Sequence, residues 1–234
     1  DIARIFIDTS GESLSRRNYR SSSVSAPMQE TLAAGIISST VWEPGQHVIN
    51  PMTGGGTLAI EAVMMAMNRA PASLRNNFGF MHLLGYDEET YLTIREEAKK
   101  AVNRNVSGKF IATDHDAQAI LSAKKNAQTA GVDHMIEFTT CDIADTPVPD
   151  GPGIVVVNPP YGMRLGDTTD LRPLYKEIGD FMKNSCPGKT GYVFTANMGL
   201  AKKVGLRAKS RTQFFNSTLE CRLLEYELYE GSKK

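Results

Sequence analysis

GIVVVNPPYGMRLG, residues 153–166, is the stretch whose reading decides the fold. Ile154, Val155, Val156 and Val157 show no polar alternation, and a β-branched run of this kind suits a strand buried on both faces of a parallel sheet. Pro159 and Pro160 then end the strand, since proline fixes an extended backbone and has no amide hydrogen to offer a neighbour.

Working outward, the same rhythm recurs. HVIN (47–50) is a short apolar run stopped by Pro51 and glycines, and a helical stretch from Leu58 to Met67 follows. KFIATD (109–114) reads as a strand, Ala117 to Ala130 as a helix ended by Gly131, and MIEFTT (135–140) as another strand. Residues 171–185 read as a helix and GYVFTA (191–196) as a strand. The tail FFNSTLECRLLEYELY (214–229) reads as two strands meeting at a turn. Strands alternating with helices predict an α/β sheet covered on both faces. At the start, ARIFID (3–8) reads as a short strand, followed by a polar, Ser-rich turn region through Ser25. A helix over 27–40 is opened by Pro27 and carries Met28, Leu32, Ile36 and Ile37 at helical spacing. Residues 68–108 break the rhythm and read as an insertion, mostly helical, with TIREEAKKAVNRN at its end.

With 234 residues and 41% hydrophobic content the chain can bury one sizeable core. No stretch approaches the roughly 18 apolar residues of a membrane span, and the opening residues lack a signal-peptide layout. Cys141, Cys186 and Cys221 are far apart and in no metal spacing, and His47, His82, His115 and His134 are scattered, so no metal is expected. Reduced core thiols and a cytoplasmic location follow. Charge is balanced, 26 basic against 26 acidic residues, with local clusters at Arg16, Arg17 and Arg20 and at Lys202, Lys203, Arg207, Lys209 and Arg211. Each cluster reads as a solvated face, and the balance neither supports nor excludes a nucleic-acid partner.

Three strand ends carry chemistry. INPMTGGGTLAIEA (49–62) sets Gly54, Gly55 and Gly56 between a strand and a helix, where the backbone can approach a ligand and the first helix amides can meet a polar group. A plain tight turn is the other reading. The run fits the dinucleotide pattern, but the acid such a site wants some 20 residues on is missing, and no Gly-Lys-Ser/Thr of a phosphate loop follows. Asp114 ends the next strand, where a carboxylate can accept both hydroxyls of a ribose. Asp142 ends the one after and could meet an adenine amino group. Either acid alone could equally be a loop or capping residue. At the third end, the two prolines leave the Asn158 side-chain oxygen and the Pro159 carbonyl as acceptors for both N–H bonds of one planar amine. Tyr161 can stack on the base that bears it, worth roughly 1–3 kcal/mol.

This order of motifs resembles the class I methyltransferases of the amino-methylating group, whose fourth strand ends in Asp/Asn/Ser-Pro-Pro-aromatic. More closely, the chain is similar to the methyltransferase domain of the THUMP-associated RNA methylases, which include the bacterial enzyme making N2-methylguanosine in 23S ribosomal RNA. The likeness runs through DTSGESLSRRNYR (8–20), APMQETLAAGII (26–37), NPMTGGGTLAIEA (50–62), TDHDAQAILSAKKNAQTAGV (113–132), NPPYGMRLG (158–166) and FNSTLECRLLEYEL (215–228). It implies a Rossmann-like fold with a seven-stranded, mostly parallel sheet, helices on both faces and an antiparallel closing strand. It implies S-adenosyl-L-methionine as cofactor, held by Glu30, Asn50, Thr53, Gly54, Gly56, Thr57, Asp114, Asp142 and Asn158, with Asn158, Pro159, Pro160 and Tyr161 holding the target base. The partner it implies is RNA, ribosomal RNA first, and residues 1–40 would link an N-terminal THUMP-type module to a methyltransferase domain at 41–234. Family members usually have Asp and Cys where this chain has Asn50 and Thr53, so the cofactor's ammonium would lose a charge-assisted bond. The competing targets are guanine N2 in transfer RNA and adenine N6 in DNA, because the motif reads an amine and not a base. A non-catalytic RNA-binding domain of the same fold is the competing class.

Overall fold

The structure, a computed structural model, describes residues 2–22, 28–162 and 170–229. Seven strands form one sheet: β1 (His47–Pro51), β2 (Phe110–Asp114), β3 (Ile136–Thr140), β4 (Gly153–Val157), β5 (Thr190–Thr195), β6 (Ser210–Asn216) and β7 (Leu219–Glu227). Their order is β3-β2-β1-β4-β5-β7-β6. The first five strands pair in parallel, and β7 runs antiparallel to both β5 and β6. The helices are α1 (Glu30–Ser38), α2 (Thr57–Ala66), α3 (Glu88–Lys100), α4 (Ala117–Ala130), α5 (Arg172–Ser185) and the single turn α6 (Met198–Ala201).

Two cores, one per face, account for the composition of β4. Ile154 and Val156 join Val48, Tyr192 and Phe194 in the core that receives α1, α2 and α4. Val155 and Val157 join Ile49, Val193 and the α5 residues Tyr175, Ile178 and Met182 in the other. Each burial is worth roughly 1.5–3 kcal/mol, so no position from 154 to 157 tolerates a polar residue and the alternation disappears. α4 begins at Asp116, whose carboxylate accepts from the Gln118 amide, and ends where Gly131 turns left-handed, as the sequence pattern requires.

Residues 2–8 form no strand. Ile5 and Phe6 are 93% and 84% exposed, because β-propensity alone does not hold an extended segment that has no neighbouring strand to bond. The first helix starts at Glu30, three residues late, and Pro27 lies outside the described residues, as do 23–25 and 163–166. The insertion holds one true helix, α3, with no buried residue, beside a short 3-10 turn at Gly79–His82. The Arg16–Arg20 cluster is also not a solvated face. Arg16 is exposed, but Arg17 is 8% exposed and sits 3.3 Å from Glu61, while Arg20 sits 3.5 Å from Glu30.

Candidate active site

β1 bonds to β2 on one side and to β4 on the other, so the chain leaving β1 and the chain leaving β4 open a crevice at their carboxyl ends. Open parallel sheets hold ligands at such a switch point. The ladder between β1 and β4 stops at Ile49 and Val155, and one residue further the fully buried Asn50 side chain takes over. Its Nδ2 donates to the Val156 carbonyl at 2.8 Å, and its Oδ1 accepts from the Thr53 hydroxyl at 2.8 Å. Asn50 therefore spans the gap between the diverging strands and ties down the loop that follows.

That loop is held from three more points. The Thr53 amide donates to the Thr113 carbonyl at 2.9 Å. The Gly54 amide donates to Asp114 Oδ2 at 2.9 Å, and the Asp116 amide donates to Asp114 Oδ1 at 3.0 Å. From α4, Asn126 Nδ2 donates to the Gly55 carbonyl at 3.0 Å. Gly56, at φ +81°, caps α2, and a Cβ there would stand 2.9 Å from the Ala123 Cβ, so only glycine lets the loop lie this close to α4. Thr57 opens α2 and is buried.

Asp114 and Asp142 meet on one small cavity of about 60 Å³ with Met52, His115, Cys141 and Ile143, and Leu174 and Glu177 of α5 close its far side. His115 Nδ1 is 3.5 Å from Asp114 Oδ1. Asp142 caps nothing with its side chain. Glu30 is absent from this lining. It is buried at the start of α1 and paired with Arg20, whose guanidinium also donates to the Met28 carbonyl.

The segment after β4 is braced as firmly. Tyr175 of α5 donates to the Pro160 carbonyl at 3.2 Å and lies 2.7 Å from the Thr195 hydroxyl. Asn197 Nδ2 donates to the Tyr161 carbonyl at 3.1 Å. Pro159 is buried and Pro160 exposed. The Tyr161 ring meets Phe194 edge-on at 6.3 Å, and its hydroxyl donates to Asn158 Oδ1 at 2.6 Å. Burial raises that phenol far above its usual range, so it stays a donor at every working pH.

A buried polar network stands behind the loop. Tyr19 donates to Glu61 Oε1 at 2.9 Å, Arg17 flanks Oε2, and both acid and tyrosine are inaccessible. Burial pushes the Glu61 carboxyl up to about 7 against the pull of Arg17 and of the Tyr19 hydroxyl.

Asn126, Tyr175 and Asn197 are site residues that the sequence motifs do not mark. Asn126 has a signal all the same, because it falls on the apolar stripe of α4 with Ala119, Ala123, Ala127 and Ala130. A polar residue on a buried stripe needs partners, and Asn126 finds the Ser21 and Ser22 amides as well as Gly55.

The family described as RMKL-like, methyltransferase domain, matches residues 17–225. The chain belongs to it. Among relatives, the ribosomal RNA large subunit methyltransferase K/L of Psychromonas ingrahamii is 40% identical over 97% of this chain and 31% of its own length. The protein of the same name from Syntrophotalea carbinolica is 38% identical over 98% of this chain and 34% of its own. The chain thus spans about a third of the length of these two relatives. Among solved structures, SMU.472, in complex with SAH, superposes with a TM-score of 0.87 at 28% identity, over 96% of this chain and 58% of that one. A protein from Listeria monocytogenes described as a predicted N6-adenine-specific DNA methylase gives 0.83 at 33% identity, over 94% and 57%. The domain has the Rossmann-like methyltransferase fold expected from its motifs, closed by antiparallel strands. Among the described residues no helix is long and apolar enough to cross a membrane, and no group of three or more His, Cys, Asp or Glu could hold a metal ion.

Proposed function

We propose that this domain is an S-adenosylmethionine-dependent methyltransferase that modifies an exocyclic amine of a nucleic-acid base, guanine N2 of large-subunit ribosomal RNA. The observation that carries the reading is that the Asp114–Asp142 cavity and the braced Asn158–Tyr161 segment both lie at the carboxyl ends of the parallel strands, after β2, β3 and β4 on either side of β1. At about 60 Å³ the cavity takes in only a corner of such a cofactor, and its lining suits the nucleoside end: Asp114 for a ribose diol, Asp142 for an amino group, and Met52 and Ile143 as apolar walls. Gly54, Gly56, Thr57 and Thr53 present loop and helix-start backbone to the rest of it. Asn50, wholly inside the fold, positions that loop. Glu30, buried at the start of α1 and paired with Arg20, lies outside the cavity lining.

The chemistry S-adenosylmethionine would supply is a methyl group already activated on a sulfonium. The protein's task is then placement. Asn158 Oδ1 and the Pro159 carbonyl accept the two N–H bonds of the amine and turn its lone pair outward. Asn158 Oδ1 has a second lone pair beyond the one Tyr161 uses, and Tyr161, its ring packed edge-on to Phe194, serves that oxygen as a positioning donor and not as a stacking face for the base. Pro160 keeps the segment extended.

The relatives' names support ribosomal RNA as the substrate, and their greater length leaves room for further modules; the THUMP-type one, reached through residues 1–40, and the cytoplasmic location rest on the family resemblance. The name of the Listeria neighbour favours a second product, N6-methyladenine in DNA, since the same acceptors fit that amine. The test is calorimetric titration with S-adenosylhomocysteine, followed by methyl transfer to unmodified ribosomal RNA and to DNA with mass spectrometry of the nucleosides. N2-methylguanosine is the expected product. N6-methyladenine would move the substrate to the second reading, and absence of S-adenosylhomocysteine binding would refute the proposal.

A further inference from the structure

On the side of the molecule away from the strands' carboxyl ends, the insertion leaves a groove of about 630 Å³ between α3, the ends of α2 and α4, and the start of β3. Three features of its lining point to one kind of ligand. First, it contains no acidic residue but four guanidinium or ammonium groups, on Arg69, Arg95, Lys99 and Arg104. Second, only Lys99 of these has a carboxylate partner among the described residues, Glu96 at 3.5 Å. Arg69 donates instead to Ser73 and to the Ala130 carbonyl, and Arg95 to Asn76 and Tyr91. Burial lowers the Arg69 pKa, and no neighbouring charge offsets it. Arginines this poor in counter-charge are complementary to an anion. Third, the floor is apolar, made by Met67, Ile94, Val102 and Met135. Phe78 and Tyr91 contribute edges, for Phe80 and Arg75 already engage the Phe78 ring.

We infer that this groove is a second nucleic-acid contact, which seats an unpaired nucleotide of the RNA with its base on the apolar floor and its phosphates on Arg69, Arg95 and Arg104. The volume is ample for one or two nucleotides, since sites for molecules of that size run to about 300–1,000 Å³. Unpaired RNA is recognised by its exposed bases and by phosphates on arginine; the groove offers the arginines directly and, in place of aromatic faces, an aliphatic floor against which a base can bury its apolar plane. It also places cationic grip on a chain with no net charge. The choice of RNA as macromolecule rests on the function proposed above, whereas the chemistry rests on the groove's own residues.

The test is fluorescence anisotropy of a labelled 12-nucleotide single-stranded RNA of mixed sequence, titrated at several salt concentrations. The variants are Arg104→Glu, Arg95→Ala and the double variant. Arg104 is exposed and Arg95 bonds only to surface groups. Binding should weaken about tenfold in the double variant, and the salt slope should fall by roughly 0.7 for each phosphate no longer neutralised. S-adenosylhomocysteine affinity should not change. Unchanged RNA affinity and slope in the double variant would overturn the inference. Free GMP and poly-glutamate serve as competitors. Saturable GMP binding that the variants abolish, with RNA binding untouched, would assign the groove to free nucleotides and refute the RNA contact. Displacement of RNA by poly-glutamate but not by GMP would show charge without a base site, and would refute it too. Loss of S-adenosylhomocysteine binding in the wild type would sink the methyltransferase reading and leave the anisotropy result standing on its own.

Discussion

Asp114→Asn is the most informative single change in the domain. The carboxylate accepts from the Gly54 amide at 2.9 Å and from the Asp116 amide at 3.0 Å, one bond to each oxygen. Asparagine keeps the shape but owns one acceptor and one NH2, so one of the two backbone amides must face a donor. Losing a charge-assisted bond and stranding its donor costs about 1.5–3 kcal/mol. The remaining lone pairs, proposed to hold the ribose, also lose their charge, which removes roughly half of what each such bond contributes. The first cost falls on the stability of the loop and the second on the ligand: halving two ribose bonds of about 1.5–3 kcal/mol each should weaken S-adenosylhomocysteine binding by about 1.5–3 kcal/mol, roughly 10- to 150-fold in Kd. Asp142→Asn provides the contrast. It lines the same cavity, yet its side chain caps no helix amide, so its loss should cost about 1 kcal/mol, roughly fivefold. Calorimetric titration of both variants, with thermal melting to show that each is folded, reads the difference. A folded Asp114→Asn variant that binds within threefold of wild type would refute the assignment of this carboxylate.

Asn158→Ala should abolish methyl transfer, at least 100-fold in kcat, and leave S-adenosylhomocysteine affinity within about threefold, which single-turnover kinetics and calorimetry would check. Tyr175→Phe removes the donor to the Pro160 carbonyl, and should lower kcat by about three- to tenfold with KM nearly unchanged. A change in KM alone would argue that the brace does not set the amine's position. For Glu61, a raised native pKa means the folded state binds a proton more tightly than the unfolded one. Stability must therefore fall as pH rises from the ordinary carboxylate range, about 4.5, to about 7. Melting temperatures of wild type and Glu61→Gln between pH 5 and 8 should diverge, with the wild type losing the more. Parallel curves would place the Glu61 pKa near normal. Asn50→Asp sets an acceptor against the Val156 carbonyl inside the core, and should destabilise the fold by about 2–4 kcal/mol without improving cofactor affinity. Tighter binding at unchanged stability would instead support a direct role for position 50.

The sheet is legible in the sequence because its signals are local and redundant. Uninterrupted apolar strands, Asp116 opening α4 and Gly131 closing it each carry their reason within a few residues. The candidate site is legible in its position for the same cause, since Asp114 closes β2 and Asp142 and Asn158 follow β3 and β4 within two residues. What sequence does not reveal depends on partners far along the chain. ARIFID has every local mark of a strand and lacks only a neighbour. The pairing of Arg17 with Glu61 and of Tyr175 with the Pro160 carbonyl joins residues 44 and 15 positions apart, and no periodicity reports such meetings. The resemblance makes Asn50 a cofactor contact because relatives carry an acid there, whereas the structure commits both ends of its amide to the fold.

That commitment changes what the replacement of aspartate by Asn50 means. An ionised aspartate only accepts, so it could not donate to the Val156 carbonyl as Asn50 does. Thr53, the second departure from the usual motif, supplies the donor that the Asn50 oxygen needs. The two departures are thus one arrangement. It replaces a negative charge at the switch point with a neutral clasp between β1, β4 and the glycine loop, and Asp114, anchored to Gly54 on the neighbouring strand, is left as the loop's charged acceptor. A loop fixed this way loses little freedom when a ligand arrives, which offsets part of the attraction given up with the charge. Asn50 and Thr53 together therefore hold the loop in shape with no charge at position 50.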